Sequence, residues 1–279
     1  MWQPRIAKKF LTAKSYLLEL FAVVEDKYNM KVKILRKEDI DRAIADEFIN
    51  LIKRKPNAVL GLATGSSPLG VYKLLVEAYK NGEISFKDVT TFNLDEYVGL
   101  DGDDDQSYRY FMNTNLFDQV DIDKKNTYVP RGKGNIYHSA QEYDMKIASH
   151  GGIDLQILGL GSDCHIAFNE PGTDLNSLTH VTDIAESTIK DNARFFESED
   201  QVPKKAVTMG LNSIMNAKKI ILLATGTNKA QAVRDMVTGS KDPSHPAAVL
   251  RNHINCVAYV DQDAASLLEK EVNITIIAD

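Results

Sequence analysis

AVLGLATGSSPLGVYKLLVEAYKNG, residues 58–82, joins two kinds of local order through a short polar turn. Ala58 to Ala63 is a continuous apolar run of strand length, the pattern of a strand covered on both faces. From Ser67 to Gly82 the apolar residues return at helical spacing, with Pro68 in the first turn and Gly82 as the stop. A buried strand feeding directly into a helix is the repeating unit of a parallel sheet, because the helix carries the chain back to start the next strand.

The same alternation extends to either side. Upstream, KVKILR (31–36) reads as a strand and EDIDRAIADEFINLIKRK (38–55) as an amphipathic helix, with Ile40, Ala43, Ile44, Phe48, Leu51 and Ile52 on one face. Downstream, DVTTFNL (88–94) and DLQILGL (154–160) read as strands, and further strands are expected near 205, 219 and 255. Helices are expected near 228 and 262, and VNITIIA (272–278) as a final strand. The fold class is therefore α/β, a mostly parallel sheet with helices on both faces. No internal repeat, low-complexity tract or dividing linker interrupts it, so residues 30–279 are expected to form a single domain. RIAKKFLTAKSYLLELFAVVEDKYN (5–29) begins basic and turns apolar, but Glu19 breaks the run and no small-residue cleavage site follows. Residues 1–29 are expected to be an N-terminal extension in helical form.

Composition removes several function classes. The 279 residues carry 33 basic and 39 acidic side chains, a net charge of -6, so no basic surplus points to nucleic acid. No apolar run reaches the length of a membrane-spanning helix. Two cysteines far apart, Cys164 and Cys256, make neither a disulfide framework nor a CxxC metal pair, which fits a reducing cytoplasm.

Ligands of parallel sheets bind beyond the carboxyl ends of the strands, and three polar clusters lie at such ends. Thr64, Gly65, Ser66 and Ser67 lead into a helix, where backbone N–H groups and hydroxyls suit an anion; a Ser67-capped helix start would read the same. No GK[ST] follows, so this is no nucleotide loop. Asp95 and Glu96 follow the strand 88–94, where a carboxylate serves either as a general base or as a turn cap. GLGSDCHIAFNEPGT (159–173) places Asp163, His165 and Glu170 within eight positions. Cys164 stands where a dinucleotide fingerprint needs its third glycine, and one histidine with two carboxylates is a thin metal set. Either His165 transfers protons with a carboxylate fixing its tautomer, or it is a turn histidine bonded to nearby backbone. Arg194 and Lys229 are single cations; Lys229 lies near a helix start, where a cation opposes the helix dipole unless an anion sits there.

Taken together, GLATGSSP, TFNLDEYVGL, LGLGSDCHIAFNEPGT, DNARFF, VPKKAVTMG and GTNKAQAV occur in the order and spacing of the glucosamine-6-phosphate deaminase (glucosamine-6-phosphate isomerase) family, which the chain resembles from about residue 30 to about 267. The resemblance implies a Rossmann-like α/β domain that converts glucosamine 6-phosphate and water to fructose 6-phosphate and ammonia, with no metal or redox cofactor. It implies Asp95 as proton acceptor, His165 as ring-opening acid/base, and Asp163 and Glu170 as its partners. Thr64, Gly65, Ser66 and Ser67 match the phosphate loop, and Arg194 and Lys229 the phosphate cations. Cys164 departs from the small residue common at that position, so a left-handed backbone there would carry a strain of roughly 1–2 kcal/mol. The stretch DLNSLTHVTD (174–183) lacks the basic pair of the allosterically regulated bacterial members, which implies no activation by N-acetylglucosamine 6-phosphate, and a monomer or small homo-oligomer rather than a regulated hexamer. A galactosamine-6-phosphate deaminase/isomerase is an alternative. 6-Phosphogluconolactonase is another, although it needs no LDEY acid, and a sugar-phosphate sensor would need a DNA-binding helix-turn-helix.

Overall fold

The computed structural model describes residues 21–25, 30–268 and 274–277. Its strands are β1 (Phe21–Glu25), β2 (Lys31–Ile34), β3 (Val59–Leu62), β4 (Thr90–Asn93), β5 (Asp95–Tyr97), β6 (Thr127–Tyr128), β7 (Leu155–Gly159), β8 (His180–Asp183), β9 (Lys205–Thr208), β10 (Ile220–Ala224), β11 (Cys256–Val260) and β12 (Ile274–Ile277). The helices are α1 (Lys37–Arg54), α2 (Leu69–Lys80), α3 (Tyr108–Asn115), α4 (Ile136–Ser149), α5 (Glu186–Asn192), α6 (Leu211–Met215), α7 (Ala230–Thr238) and α8 (Gln262–Ala265).

Nine strands form the main sheet in the order β12-β1-β2-β11-β10-β7-β3-β4-β6. From β2 to β6 every neighbouring pair is parallel, while β1 runs antiparallel to both β2 and β12. The expected α/β sheet is therefore present. β3, β7, β10 and β11 are buried along nearly their whole length, as continuous apolar runs require. The strand order steps one way from β3 to β4 and β6, and the other way from β7 to β10 and β11. Right-handed crossovers then put the helices of the two halves on opposite faces; α1 packs on α2, and α7 packs on α8. The reversal lies between β3 and β7, where the loops following adjacent strands diverge and leave a crevice.

Two expectations are corrected. The strand near 205 is β9, and it does not join the parallel sheet: it is the centre of a second, antiparallel sheet in the order β5-β9-β8. Only its inner part, Ala206 to Thr208, is buried, against β5 and β8. The N-terminal extension was expected to be helical, but Phe21–Glu25 is extended and pairs with β2, as β-branched Val23 and Val24 favour; residues 1–20 and 26–29 lie outside the described residues. The final strand is present as β12.

Candidate active site

Three strand ends meet at the reversal. The loop after β3, the start of β5 just beyond β4, and the loop after β7 line one crevice of about 190 Å³ with Thr64, Gly65, Ser66, Ser67, Asp95 and His165. Arg194, Lys229, Thr188, Asp191 and Asn192 close its other side. Asp163 and Glu170 do not line it; they stand behind His165. All ten expected site residues thus fall within one constellation, in two layers.

The loop after β3 turns at Gly65, whose φ of 85° is in the left-handed region that glycine enters without strain. The helix that follows begins at Leu69 with Pro68 at its N-cap, and no side chain caps it. Ser67 therefore does not cap the helix. The free N–H groups of the first turn and the hydroxyls of Ser66 and Ser67 sit at the mouth of the crevice, a geometry that favours an anion.

The loop after β7 is built around His165. Its Nδ1 lies 2.5 Å from Asp163 Oδ1 and 3.2 Å from Glu170 Oε2, and the imidazole is 18% exposed. Only the Asp163 contact is aligned as a hydrogen bond, so Glu170 acts on the ring through its charge. Thr188 Oγ1 donates to Glu170 Oε1 at 2.7 Å. Burial works to lower the imidazole pKa, but the two carboxylates outweigh it and push it up to about 9. Asp163 is raised by burial and lowered more strongly by His165, which holds it at about 2. With Nδ1 committed to carboxylates, the proton on Nε2 is the one free to move.

A close approach makes this placement possible. A Cβ on Gly161 would lie 2.3 Å from both Cε1 and Nδ1 of His165, so only glycine lets the imidazole lie against the turn. Cys164 has φ 69°, the left-handed conformation expected to be strained there, and its thiol is buried with its pKa pushed up to about 12 by that burial. A thiol held so far from ionisation is no nucleophile. Asn169 is fully buried and donates to the carbonyls of Ile166 and Met209, which ties the segment before Glu170 to the chain after β9.

Local pattern left Asp95 and Glu96 equivalent, and only the family resemblance singled out Asp95; the structure separates them. Asp95 is 6% exposed and faces the crevice, and burial, reinforced by Glu96 and opposed by His165, pushes its carboxyl up to about 8. Glu96 points away and accepts the backbone N–H groups of Tyr97 (2.8 Å), Tyr108 (2.9 Å) and Arg109 (2.9 Å), tying β5 to the first turn of α3. Asp95 was expected just after the strand 88–94, and there it opens a further strand, β5, opposite Thr208 of β9. The second sheet therefore fixes its direction.

The two expected cations, Arg194 and Lys229, line the same crevice. Lys229 is the N-cap residue of α7, and burial lowers its pKa, with Arg194 adding to that and Asp191 and Asp163 opposing it. Gly226, at the start of its loop with φ 91°, donates to both carboxyl oxygens of Asp261 at 3.0 Å, which anchors the loop. Thr188, Asn192 and Asp261 were not identified from sequence: the first two lie four residues apart on α5 and become relevant only once that helix is seen over the crevice. Asp261 gave no signal in its own surroundings.

Asp163, His165 and Glu170 present ligand-type atoms within 4.8 Å of one another, the spacing of a metal set. Both carboxylates, however, address the same ring nitrogen, and a protonated Nδ1 cannot also bind a metal. The arrangement is that of a proton relay, facing an acid of raised pKa across a crevice rimmed by anion donors. It suits acid–base chemistry at carbon and oxygen of a small phosphorylated molecule.

The comparisons with known proteins agree with that chemistry. The family described as glucosamine-6-phosphate isomerases/6-phosphogluconolactonase matches residues 36–258. A glucosamine-6-phosphate deaminase of Clostridium perfringens is 54% identical over 233 residues, covering 83% of this chain and 96% of that protein. One from Thermoanaerobacter pseudethanolicus is 49% identical over 244 residues, covering 87% and 96%. Among solved structures, a monomeric glucosamine-6-phosphate deaminase superposes with a TM-score of 0.83 at 41% identity, covering 85% of this chain and 99% of that one. A 6-phosphogluconolactonase of Thermotoga maritima, at 22% identity and TM-score 0.66, shares the fold.

Proposed function

Since the chain belongs to the family of glucosamine-6-phosphate isomerases and 6-phosphogluconolactonases, we propose that it converts glucosamine 6-phosphate and water to fructose 6-phosphate and ammonia through the residues around the β3–β7 crevice. The observation that carries this reading is the pairing of Asp95, a buried acid of raised pKa, with a charged His165 in the same crevice.

The cyclic sugar is unreactive at C2 until its ring opens. Opening needs one proton delivered to the ring oxygen and one removed from O1. His165, protonated at neutral pH, delivers the first from Nε2 and can then collect the second, while Asp163 and Glu170 hold the imidazole and stabilise its charged form. The aldehyde so formed acidifies the C2 hydrogen. Ionised Asp95 removes it and returns it to C1, leaving an iminium at C2. Water adds there, and ammonia leaves to give the ketone. The amides and hydroxyls from Thr64 to Ser67, with Arg194 and Lys229, hold the phosphate, so binding energy distant from the reaction orients the reacting carbons. None of these steps calls for a metal or a redox cofactor.

A lactonase has no need to move hydrogen between adjacent carbons, and its resemblance to this chain extends to the fold alone. The C4 epimer, galactosamine 6-phosphate, is the second substrate to test. No helix among the described residues is long and apolar enough to cross a membrane, and both cysteines are free and buried; we place the enzyme in the cytoplasm, as a monomer or small homo-oligomer without nucleic-acid partners. The test is ammonia release from both amino sugars with and without a chelator. Chelator-resistant release from glucosamine 6-phosphate is expected. Release that the chelator abolishes, or none from either sugar, would overturn the reading.

A further inference from the structure

Asp163 and Glu170 both address His165, but the chain holds them by different means. Asp163 stands two residues before the imidazole and accepts from the His165 backbone N–H at 3.3 Å as well as facing Nδ1, so the turn itself aims its carboxyl. Glu170 stands five residues beyond, with its backbone carbonyl tied to Thr173, whose N–H and hydroxyl donate to it at 3.0 and 2.7 Å. Those bonds place the main chain and leave the side chain free to turn. The carboxylate is only 12% exposed, and its Oε2, the oxygen 3.2 Å from His165 Nδ1, is buried with no aligned hydrogen bond.

The aim of Glu170 comes from another element. Thr188 Oγ1 donates to Glu170 Oε1 at 2.7 Å, and among the described residues it supplies the one aligned hydrogen bond to that carboxyl. A threonine inside a helix ordinarily turns its hydroxyl to a carbonyl of the preceding turn. Thr188 is buried within α5 and sends its hydroxyl out of the helix instead. Asn192, four residues on and so on the same face, donates to Tyr97 Oη at 2.9 Å, two residues along β5 from Asp95. This face of α5 therefore fastens to both halves of the acid–base pair. A hydrogen bond to a charged acceptor is about twice as strong as one between neutral groups, and here it fixes which carboxylate oxygen is left for the imidazole.

We propose that Thr188 is a positioning residue for the ring-opening step: its hydroxyl holds Glu170 Oε1 and so presents Oε2 to the imidazole of His165. Its effect on turnover rests on the reaction proposed above; its effect on His165 does not. Without the hydroxyl, Glu170 is a largely buried carboxylate with no donor, and it either takes up a proton or turns toward water. Either way negative charge is lost beside Nδ1, and the charged imidazole loses support. The other charges around His165 are Asp163 on its own loop, Asp95 of β5, Asp191 and Arg194 at α5, and Lys229 before α7. A change at Thr188 leaves all of these in place.

The test compares Thr188→Val, which keeps the shape and loses the hydroxyl, with Thr188→Ser, which keeps the hydroxyl. In the full chain with labelled histidine, NMR reads the His165 titration directly, its signal assigned by its absence in His165→Gln. Thr188→Val is expected to lower that titration by about one pH unit, and Thr188→Ser to leave it near the parent value. Thr188→Ala is expected to follow Thr188→Val and carries the comparison if Thr188→Val does not fold. Introduced beside Glu170→Gln, Thr188→Val is expected to add nothing, because the charge it acts through is already gone. An unmoved titration in Thr188→Val, equal shifts in Thr188→Val and Thr188→Ser, or an undiminished shift beside Glu170→Gln overturns the assignment. In turnover, Thr188→Val is expected to lower kcat for glucosamine 6-phosphate about tenfold and to leave KM within about twofold, since Arg194 and Lys229 still hold the phosphate. Thr188→Ser is expected to restore kcat. A loss confined to KM overturns the role in ring opening. An absence of ammonia release from the parent would instead count against the reaction and leave the NMR titration standing.

Discussion

Replacing Asp95 with asparagine should make the protein inactive and, at neutral pH and above, more stable. The two effects have one cause. The Asp95 carboxyl has a reference pKa of 3.8 and is pushed up to about 8 in the folded chain, chiefly by burial. Between those values the unfolded chain ionises while the folded chain keeps its proton, so stability falls as pH rises through this window. Each pH unit is worth about 1.4 kcal/mol, which accumulates to an upper bound of about 6 kcal/mol by pH 8. Below 3.8 the contribution vanishes. Asparagine removes this slope but buries an amide, at a cost of about 1–3 kcal/mol where its partners are incomplete. The Asp95→Asn variant should therefore be equal to or less stable than the parent near pH 4 and more stable by about 3–5 kcal/mol near pH 8. Urea midpoints at the two values measure the crossing. In deuterated solvent, NMR of bound substrate should show no exchange at C2, although the sugar phosphate still binds. A stability difference that does not change with pH would refute the buried, high-pKa assignment. Exchange at the parent rate would remove Asp95 from the reaction.

The same groups shape other expectations. The pH profile of kcat/KM should be bell-shaped, with an acid limb at about 8 as Asp95 ionises and an alkaline limb at about 9 as His165 loses its proton. Asp163→Asn should move the alkaline limb down by about one to two pH units; an unmoved limb would detach it from His165. Gly161→Ala should cost about a hundredfold in activity on the cyclic sugar while leaving the circular dichroism spectrum intact, because its Cβ would occupy the place of the His165 ring. Parent activity in that variant would show that the ring need not lie there. Cys164→Ala should keep full activity, and iodoacetamide should leave the parent enzyme unaffected, since the thiol is buried and its pKa is about 12. Inactivation by the reagent would reopen a thiol mechanism.

How far the sequence could be read follows from what each element needs. β3, β7, β10 and β11 are covered on both faces, so their apolar runs are visible without any tertiary knowledge. The switch between β3 and β7 was legible only as polar clusters at strand ends; the strand order that brings them together comes from long-range pairing, which local pattern does not encode. β5 and β8 were missed for a related reason. β5 is three residues long, the outer face of β8 is polar, and both exist because β9 lies between them. That pairing is what makes Asp95 and Glu96 point in opposite directions, one to the crevice and one to the amides of α3. A strand alternates faces at every residue, so the small sheet turns two chemically equivalent neighbours into an acid that faces the crevice and one that ties β5 to α3.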